Sequence, residues 1–186
     1  MLRTGRQHRG SSIVGAGPPQ TKTLGHMASV VQRQALKIFA DYHQFYLWDE
    51  RVGPEAPTDW TDGDVARRLK AAPNVVVVSP VRNMTVPVEV EIHQSEPPFR
   101  AEAWDHIAEC SLELPSGQLQ VHECTGGPVA SFKVPPGTYR VRAFYGELAS
   151  LSADGLEGKD HYRVVLWPAP PGELIVLKEW KEGHVA

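Results

Sequence analysis

Thr85-Val86-Pro87-Val88-Glu89-Val90-Glu91-Ile92-His93 is the stretch from which the fold can be read. Val86, Val88, Val90 and Ile92 fall on one side of an extended chain, and Thr85, Pro87, Glu89, Glu91 and His93 on the other. That is the two-residue period of a strand with one face in a core. Pro87 cannot donate to a ladder, which puts this strand at a sheet edge or on a bulge. Working outward, Val75–Ser79 is a short, wholly apolar run, and 107–114, 118–123, 129–134, 138–145, 161–167 and 173–180 also read as strands. Residues 34–48 (QALKIFADYHQFYLW) mix aromatic and polar groups on both alternating faces and read as one strand covered on both sides, or one whose aromatic face lines a cleft.

One helix stands out. Thr61 followed three residues later by Asp64 is an Asp version of the capping box. Asp62 and Asp64 sit at the positive end of the helix dipole, and Arg67, Arg68 and Lys70 at the negative end. Val65, Ala66, Leu69 and Ala72 form a narrow apolar stripe, and Pro73 stops it, giving a helix of about 10–12 residues. One further helical turn is expected at 102–106. With 16 Gly and 16 Pro in 186 residues, the chain has many turns. About nine short strands and one short α-helix give a mainly β fold, an antiparallel β-sandwich for which the jelly roll is one available form. The length suits a single domain, here residues 28–186. No apolar run approaches the roughly 20 residues of a membrane helix.

Charge divides the chain. Six of the 19 basic residues, and none of the 22 acidic ones, precede Asp41, which leaves the remainder at −9. Residues 1–27 have no hydrophobic period and read as a disordered basic leader. Gly25-His26-Met27 looks like a cloning junction, so Met27 is one candidate native start; a functional basic arm and a transit peptide are the others. The acidic remainder argues against nucleic acid as a direct ligand, because phosphate contacts need clustered Lys and Arg. It would speed association with a basic protein. Plain solubility explains the same charge.

Few residues form a chemical constellation. If 107–114 and 118–123 pair as a hairpin about Pro115-Ser116-Gly117, Leu114 faces Leu119 and Leu112 faces Val121. Cys110 then faces Glu123 and Cys124 points the other way, so free thiols in a reducing, cytoplasmic compartment are expected, with no metal or cofactor. Asp41-x-His43 and Asp160-His161 bring carboxylates near imidazoles, but no Ser or Cys stands in a nucleophile elbow. Asn83-Met84-Thr85 matches a glycosylation sequon by its letters only. The aromatics are more informative: Tyr42, Phe45, Tyr46, Trp48 and Trp60 interleave with Asp41, Asp49, Asp59 and Asp62. Tyr and Trp anchor protein interfaces and aspartates suit a basic partner, whereas a sandwich core with a polar rim would use the same residues.

Four segments in order carry a likeness: Tyr42-His43-Gln44-Phe45, Asp59-Trp60-Thr61-Asp62 leading into the helix, Arg82-Asn83, and Val134-Pro135-Pro136-Gly137-Thr138-Tyr139. Asp160-His161-Tyr162 matches a looser closing motif. Over roughly Phe39–Trp167, about two thirds of the chain, the sequence resembles the competence protein J family. The resemblance implies a small bacterial protein without enzymatic activity, of a kind known as an inhibitor partner of a DNA-entry nuclease. The basic leader, the long Gly146–Gly158 loop and a strand after Trp167 depart from the family pattern.

On this reading the chain binds and inhibits a basic nuclease or related toxin by occluding its cleft. Tyr42, His43, Trp60, Asp62, Arg82 and Asn83 would make contact, and Asp154 and Asp160 would steer. A small-ligand-binding sandwich is the alternative, with Tyr42, Tyr46 and Trp60 lining a pocket. An enzyme using His43 or His161 is a third; it requires one of them in a cleft beside a carboxylate.

Overall fold

The computed structural model describes residues 1–2 and 30–181. The expected leader and the Met27 start lie almost wholly outside the described residues. The elements in order are β1 (Val30–Phe39), β2 (Phe45–Asp49), α1 (Asp62–Arg67), β3 (Leu69–Ala72), β4 (Val75–Val78), β5 (Thr85–His93), β6 (His106–Leu114), β7 (Gln118–Glu123), β8 (Gly127–Lys133), β9 (Gly137–Gly146), β10 (His161–Pro168) and β11 (Ile175–Lys178). Short 3-10 turns occupy Asp41–His43, Ala101–Ala103 and Leu148–Ser150.

Two sheets enclose the core. One runs β1-β5-β10-β9-β6-β11 and the other β3-β4-β2-β7-β8. The alternation in β5 works as read: Val86, Val88, Val90 and Ile92 point inward, beside Val164 and Leu166 of β10 and Val141 and Tyr145 of β9. Phe45, Leu47, Val76, Val78, Leu119 and Val121 close the core from the other sheet. Each such side chain contributes roughly 1.5–3 kcal/mol by leaving water. All pairings are antiparallel except β5 with β10, which is parallel, so the sandwich is mixed rather than purely antiparallel.

Four expectations are corrected. Residues 34–48 are two strands in different sheets, because Tyr42 (φ 54°) and His43 (φ 57°) turn the chain between them. The capping box forms at Thr61 and Asp64, but the helix stops at Arg67: Arg68 is left-handed at φ 54°, and Leu69–Ala72 pairs with β4 instead. Leu69 is thus core, while Val65 is 59% exposed. The β6–β7 hairpin does not exist. β6 pairs with β9 and β11, and β7 with β2 and β8, so the Pro115-Ser116-Gly117 turn carries the chain from sheet to sheet. Leu112, Leu114, Leu119 and Val121 do share one apolar environment, but within the core between the sheets rather than along one ladder. Cys110 therefore lies opposite Val141, not Glu123. Finally, β5 is not an edge strand. Pro87 stands one residue before pairing with β10 begins at Val88, so its missing N–H removes nothing from that ladder.

Candidate functional site

One concavity lies where β1 ends and where β5 and β10 begin. It is a cleft of about 450 Å³ lined by Tyr42, His43, Trp60, Val65, Arg68 and Trp180, with Val81 and Leu151 among the rest. A shallower hollow of about 320 Å³ continues it along α1, reaching Asp62 and Glu179. Both hollows share Val65, Arg68 and Trp180.

Backbone strain converges here. Among the described residues, five non-glycine residues have positive φ, and Tyr42, His43 and Arg68 are three of them. A left-handed non-glycine residue costs of order 1–3 kcal/mol and persists where the surroundings over-determine it. The surroundings do so. Tyr42 N–H donates to Asp41 Oδ1 at 3.0 Å, and Thr125 Oγ1–H donates to Asp41 Oδ2 at 2.9 Å. The Tyr145 hydroxyl, on the core side of β9, donates to the Arg68 carbonyl. Complete burial pushes that phenol far above its ordinary range, so it stays a donor. His106 Nε2 lies 2.9 Å from the Arg67 carbonyl, and the Trp180 N–H donates to His106 Nδ1 at 3.3 Å. The second contact makes Nδ1 the acceptor, so Nε2 carries the proton.

The aromatic walls are fixed through charge. The Arg68 guanidinium lies 5.0 Å from the Trp180 ring centroid. Lys70 Nζ lies 5.4 Å from the Trp60 ring, 3.3 Å from Asp59 Oδ1 and 3.0 Å from Asp64 Oδ2. Asp64 also closes the capping box and meets Arg67 at 2.5 Å. Bonds from Thr61 lead in holding the Asp64 carboxyl well below the usual carboxylate range, with Lys70 and Arg67 assisting. Asp59, Asp62 and Glu179 remain exposed around the mouth. The cleft is thus apolar and aromatic in its walls with carboxylates at its rim.

The sequence-derived residues fall into three groups. Tyr42, His43 and Trp60 meet in the cleft, and Asp62 lines its extension. Arg82 and Asp160 meet each other: Nε lies 2.7 Å from Oδ1, with the two side chains 9% and 0% exposed. Asp160 also accepts from the Tyr162 hydroxyl at 2.6 Å, and Arg82 donates to the Leu156 carbonyl at 3.3 Å. A carboxylate so enclosed and paired projects little field, so the steering role expected of Asp160 does not suit its position. Asn83 is exposed beside this pair. Asp154 is exposed, and its Oδ1 accepts from Ser152 Oγ at 2.5 Å and Leu156 N–H at 3.1 Å, holding its own turn.

Val65, Arg68, Val81, Leu151 and Trp180 were not anticipated as site residues. Trp180 had a signal, a lone indole between Glu179 and Lys181 at the end of a strand. Val65 lies on α1, where its place in the apolar stripe pointed to the core, Arg68 caps that helix, and Val81 and Leu151 come from loops whose placement no local pattern sets. Tyr46 does not line the cleft; it packs on the outer face of the second sheet with Val75 and Val77. Among the described residues, His43 makes no hydrogen bond to a carboxylate, and His161 Nδ1 lies 3.3 Å from the Lys159 carbonyl. Cys110 and Cys124 are free thiols; burial pushes Cys110 up to about 12. No group of three metal-ligating side chains occurs among the described residues, and no described helix is long and apolar enough to cross a membrane.

No protein-family model matches the chain, and no curated protein matches it in sequence. Solved structures do share its fold. The crystal structure of ComJ, inhibitor of the DNA-degrading activity of NucA, from Bacillus subtilis, superposes with a TM-score of 0.58 at 20% identity, covering 77% of this chain and 99% of that one. The product of crocagin biosynthetic gene J gives a TM-score of 0.49 at 20% identity, with the same coverage. The chain therefore has a ComJ-like fold.

Proposed function

We propose that this chain is a cytoplasmic, non-enzymatic binding protein, an inhibitor or immunity-type partner of a nuclease or related toxin, acting by occluding a basic cleft. The observation that carries the reading is the convergence of three left-handed backbone positions and a 69% exposed tyrosine on one carboxylate-rimmed cleft. Stored strain of this kind clusters at binding sites, and exposed Tyr and Trp anchor interfaces. The likeness in fold to ComJ, itself an inhibitor of a DNA-degrading activity, supports the same role.

Tyr42, His43 and Trp60 make the central contacts, joined by Val65 and Trp180. Asp62, with Asp59 and Glu179, draws in Lys and Arg side chains of the partner. Asn83 and Asp154 lie at the periphery. Arg82 and Asp160 hold the loop that supplies Leu151 rather than touching the partner.

The test is a DNA-degradation assay with a nuclease encoded beside this gene, with and without the purified chain. Stoichiometric inhibition that is lost in Tyr42→Ala and Trp60→Ala supports the proposal. Full nuclease activity at low salt with excess chain, and no co-purification, overturns it. The small-ligand alternative draws on the cleft volume, which lies within the range of ligand pockets. The absence of Tyr46 from the lining counts against the form in which that alternative was framed.

A further inference from the structure

Trp180 forms one wall of the cleft, yet the chain leading to it is lightly held. It follows β11, an edge strand of four residues whose Ile175, Val176 and Leu177 are 38–42% exposed. The pairing of β11 with β6 shifts register between Val176 and Lys178. Segments with few buried apolar contacts are the ones that open locally at low cost. The position of Trp180 therefore depends on what meets it at the end of this strand. Its side chain packs against the core, the Arg68 guanidinium lies over its ring, and its N–H donates to His106 Nδ1 at 3.3 Å.

His106 is completely buried, and a backbone group meets each of its ring nitrogens. A backbone N–H only donates, so Nδ1 bears no proton; the Arg67 carbonyl only accepts, so Nε2 bears one. The neutral ring is thus a strut between the end of α1 and Trp180. A second proton has only Nδ1 to join, and there it sets two donors against each other. Burial leads in holding the ring below its ordinary 6.5, and the Arg68 charge acts the same way against the Arg67 carbonyl and Glu179. The other ionisable groups on the surrounding elements are engaged elsewhere. Tyr145, edge-on to the imidazole at 5.1 Å, gives its hydroxyl to the Arg68 carbonyl. Asp105 accepts from the Leu148 N–H, Lys178 donates to the Ala101 and Trp104 carbonyls, and Lys70 pairs with Asp59 and Asp64.

We infer that His106 is the positioning residue of the Trp180 wall, and that protonation of its Nδ1 releases that wall and weakens the hold of the cleft on its partner. The second half rests on the proposed function; the release of Trp180 does not. The movable element is the stretch beyond Lys178. When it leaves, the cleft loses its indole wall, and the rim loses the Glu179 carboxylate that attracts basic side chains. The neutral ring holds the wall at pH 7, and the hold fails as pH falls through the lowered value of the buried imidazole.

The test is a titration of the full chain from about pH 8 to about pH 4.5, following imidazole ¹⁵N shifts, backbone amide shifts and amide hydrogen exchange. The Trp180 amide should move with the same midpoint as the His106 ring. Below it, Trp180 exchange, corrected for pH, should quicken roughly tenfold or more while the core amide of Val141 keeps its protection. His106→Asn offers an oxygen near the place of Nδ1 that does not titrate, so it should keep Trp180 protected across the range. His106→Phe should leave Trp180 unprotected throughout. With the nuclease of the earlier assay, the parent should bind roughly tenfold more weakly below the midpoint than at pH 7.5, and His106→Asn should show a ratio near one. A Trp180 amide that does not follow the ring, a ring still neutral at pH 4.5, or joint loss of Trp180 and Val141 protection overturns the inference. So does a nuclease that the parent binds equally at both pH values. Absence of nuclease binding at pH 7.5 overturns the nuclease reading alone, because the Trp180 titration needs no partner and decides the release by itself.

Discussion

Replacing Asp160 with Asn tests whether the candidate cleft is held by the ion pair beneath it. Asn keeps the shape and can still accept from the Tyr162 hydroxyl, but it strands the Arg82 guanidinium, whose side chain is 9% exposed. Nε and Oδ1 are 2.7 Å apart without hydrogen-bond alignment, so their attraction is chiefly Coulombic. Breaking a buried pair by removing one member costs about 3–5 kcal/mol. The low end applies here, since Arg82 keeps the Leu156 carbonyl and a margin of solvent. At about 2–4 °C per kcal/mol for a domain of this size, the melting temperature should fall by roughly 6–12 °C. Removing both charges, as Arg82→Met with Asp160→Asn, should recover part of that loss, because the single variant suffers from an orphaned charge rather than a missing bond. The assay is thermal unfolding of parent, singles and double, together with partner affinity. Leu151 lines the cleft on the loop that Arg82 grips, so Asp160→Asn should also weaken binding although Asp160 is buried away from the partner. Melting of Asp160→Asn within 2 °C of the parent would refute the reasoning, since only an exposed pair is worth so little.

Three further outcomes are expected. Burial, first among its influences, holds His106 below its ordinary value of 6.5, so the folded state prefers the neutral ring. The stability this confers is complete above pH 6.5 and declines as pH falls through the lower folded value; urea unfolding across that window should show a decline that His106→Phe lacks. Gly117 has φ +68°, and an added Cβ would lie 2.3 Å from the Val134 carbonyl oxygen, so Gly117→Ala should destabilise by about 2 kcal/mol or more in chemical unfolding. Asp62→Lys at the exposed rim should slow association with a basic partner several-fold at low salt, and the difference should shrink at high salt in stopped-flow measurements.

How far the sequence could be read depends on what each signal encodes. Alternation in Val86, Val88, Val90 and Ile92 states which side of a strand meets the core, and it did so correctly. It does not state which sheet the strand joins. Leu112 and Leu114 on β6, and Leu119 and Val121 on β7, obey the same inward rule whether the strands are neighbours or face each other across the sandwich. The turn residues between them are compatible with either path, so the hairpin reading could not be separated from the crossover. The capping box was legible because it is chemistry within four residues. The end of the same helix was not, because Arg68 adopts a left-handed conformation that its side chain does not favour, and the tertiary bond from Tyr145 helps to hold it. Tyr42 and His43 hid their turn in the same way, inside an aromatic run that propensity assigns to a strand.

These misreadings share a location. Two of the places where local preference and structure disagree, the turn at Tyr42 and His43 and the helix end at Arg68, bound the cleft. Sequences are otherwise locally consistent with their folds, and departures gather where a surface has to be shaped for use. The buried groups behind the cleft strengthen that argument. Tyr145 and His106 direct polar atoms from the core at the backbone of Arg67, Arg68 and Trp180, and the Arg82–Asp160 pair fixes the opposite wall. A cleft whose backbone is fixed from within loses little conformational freedom on binding. In the proposed role, such rigidity suits a surface that blocks another protein's groove, and the determinants of binding would then lie partly in residues the partner never meets.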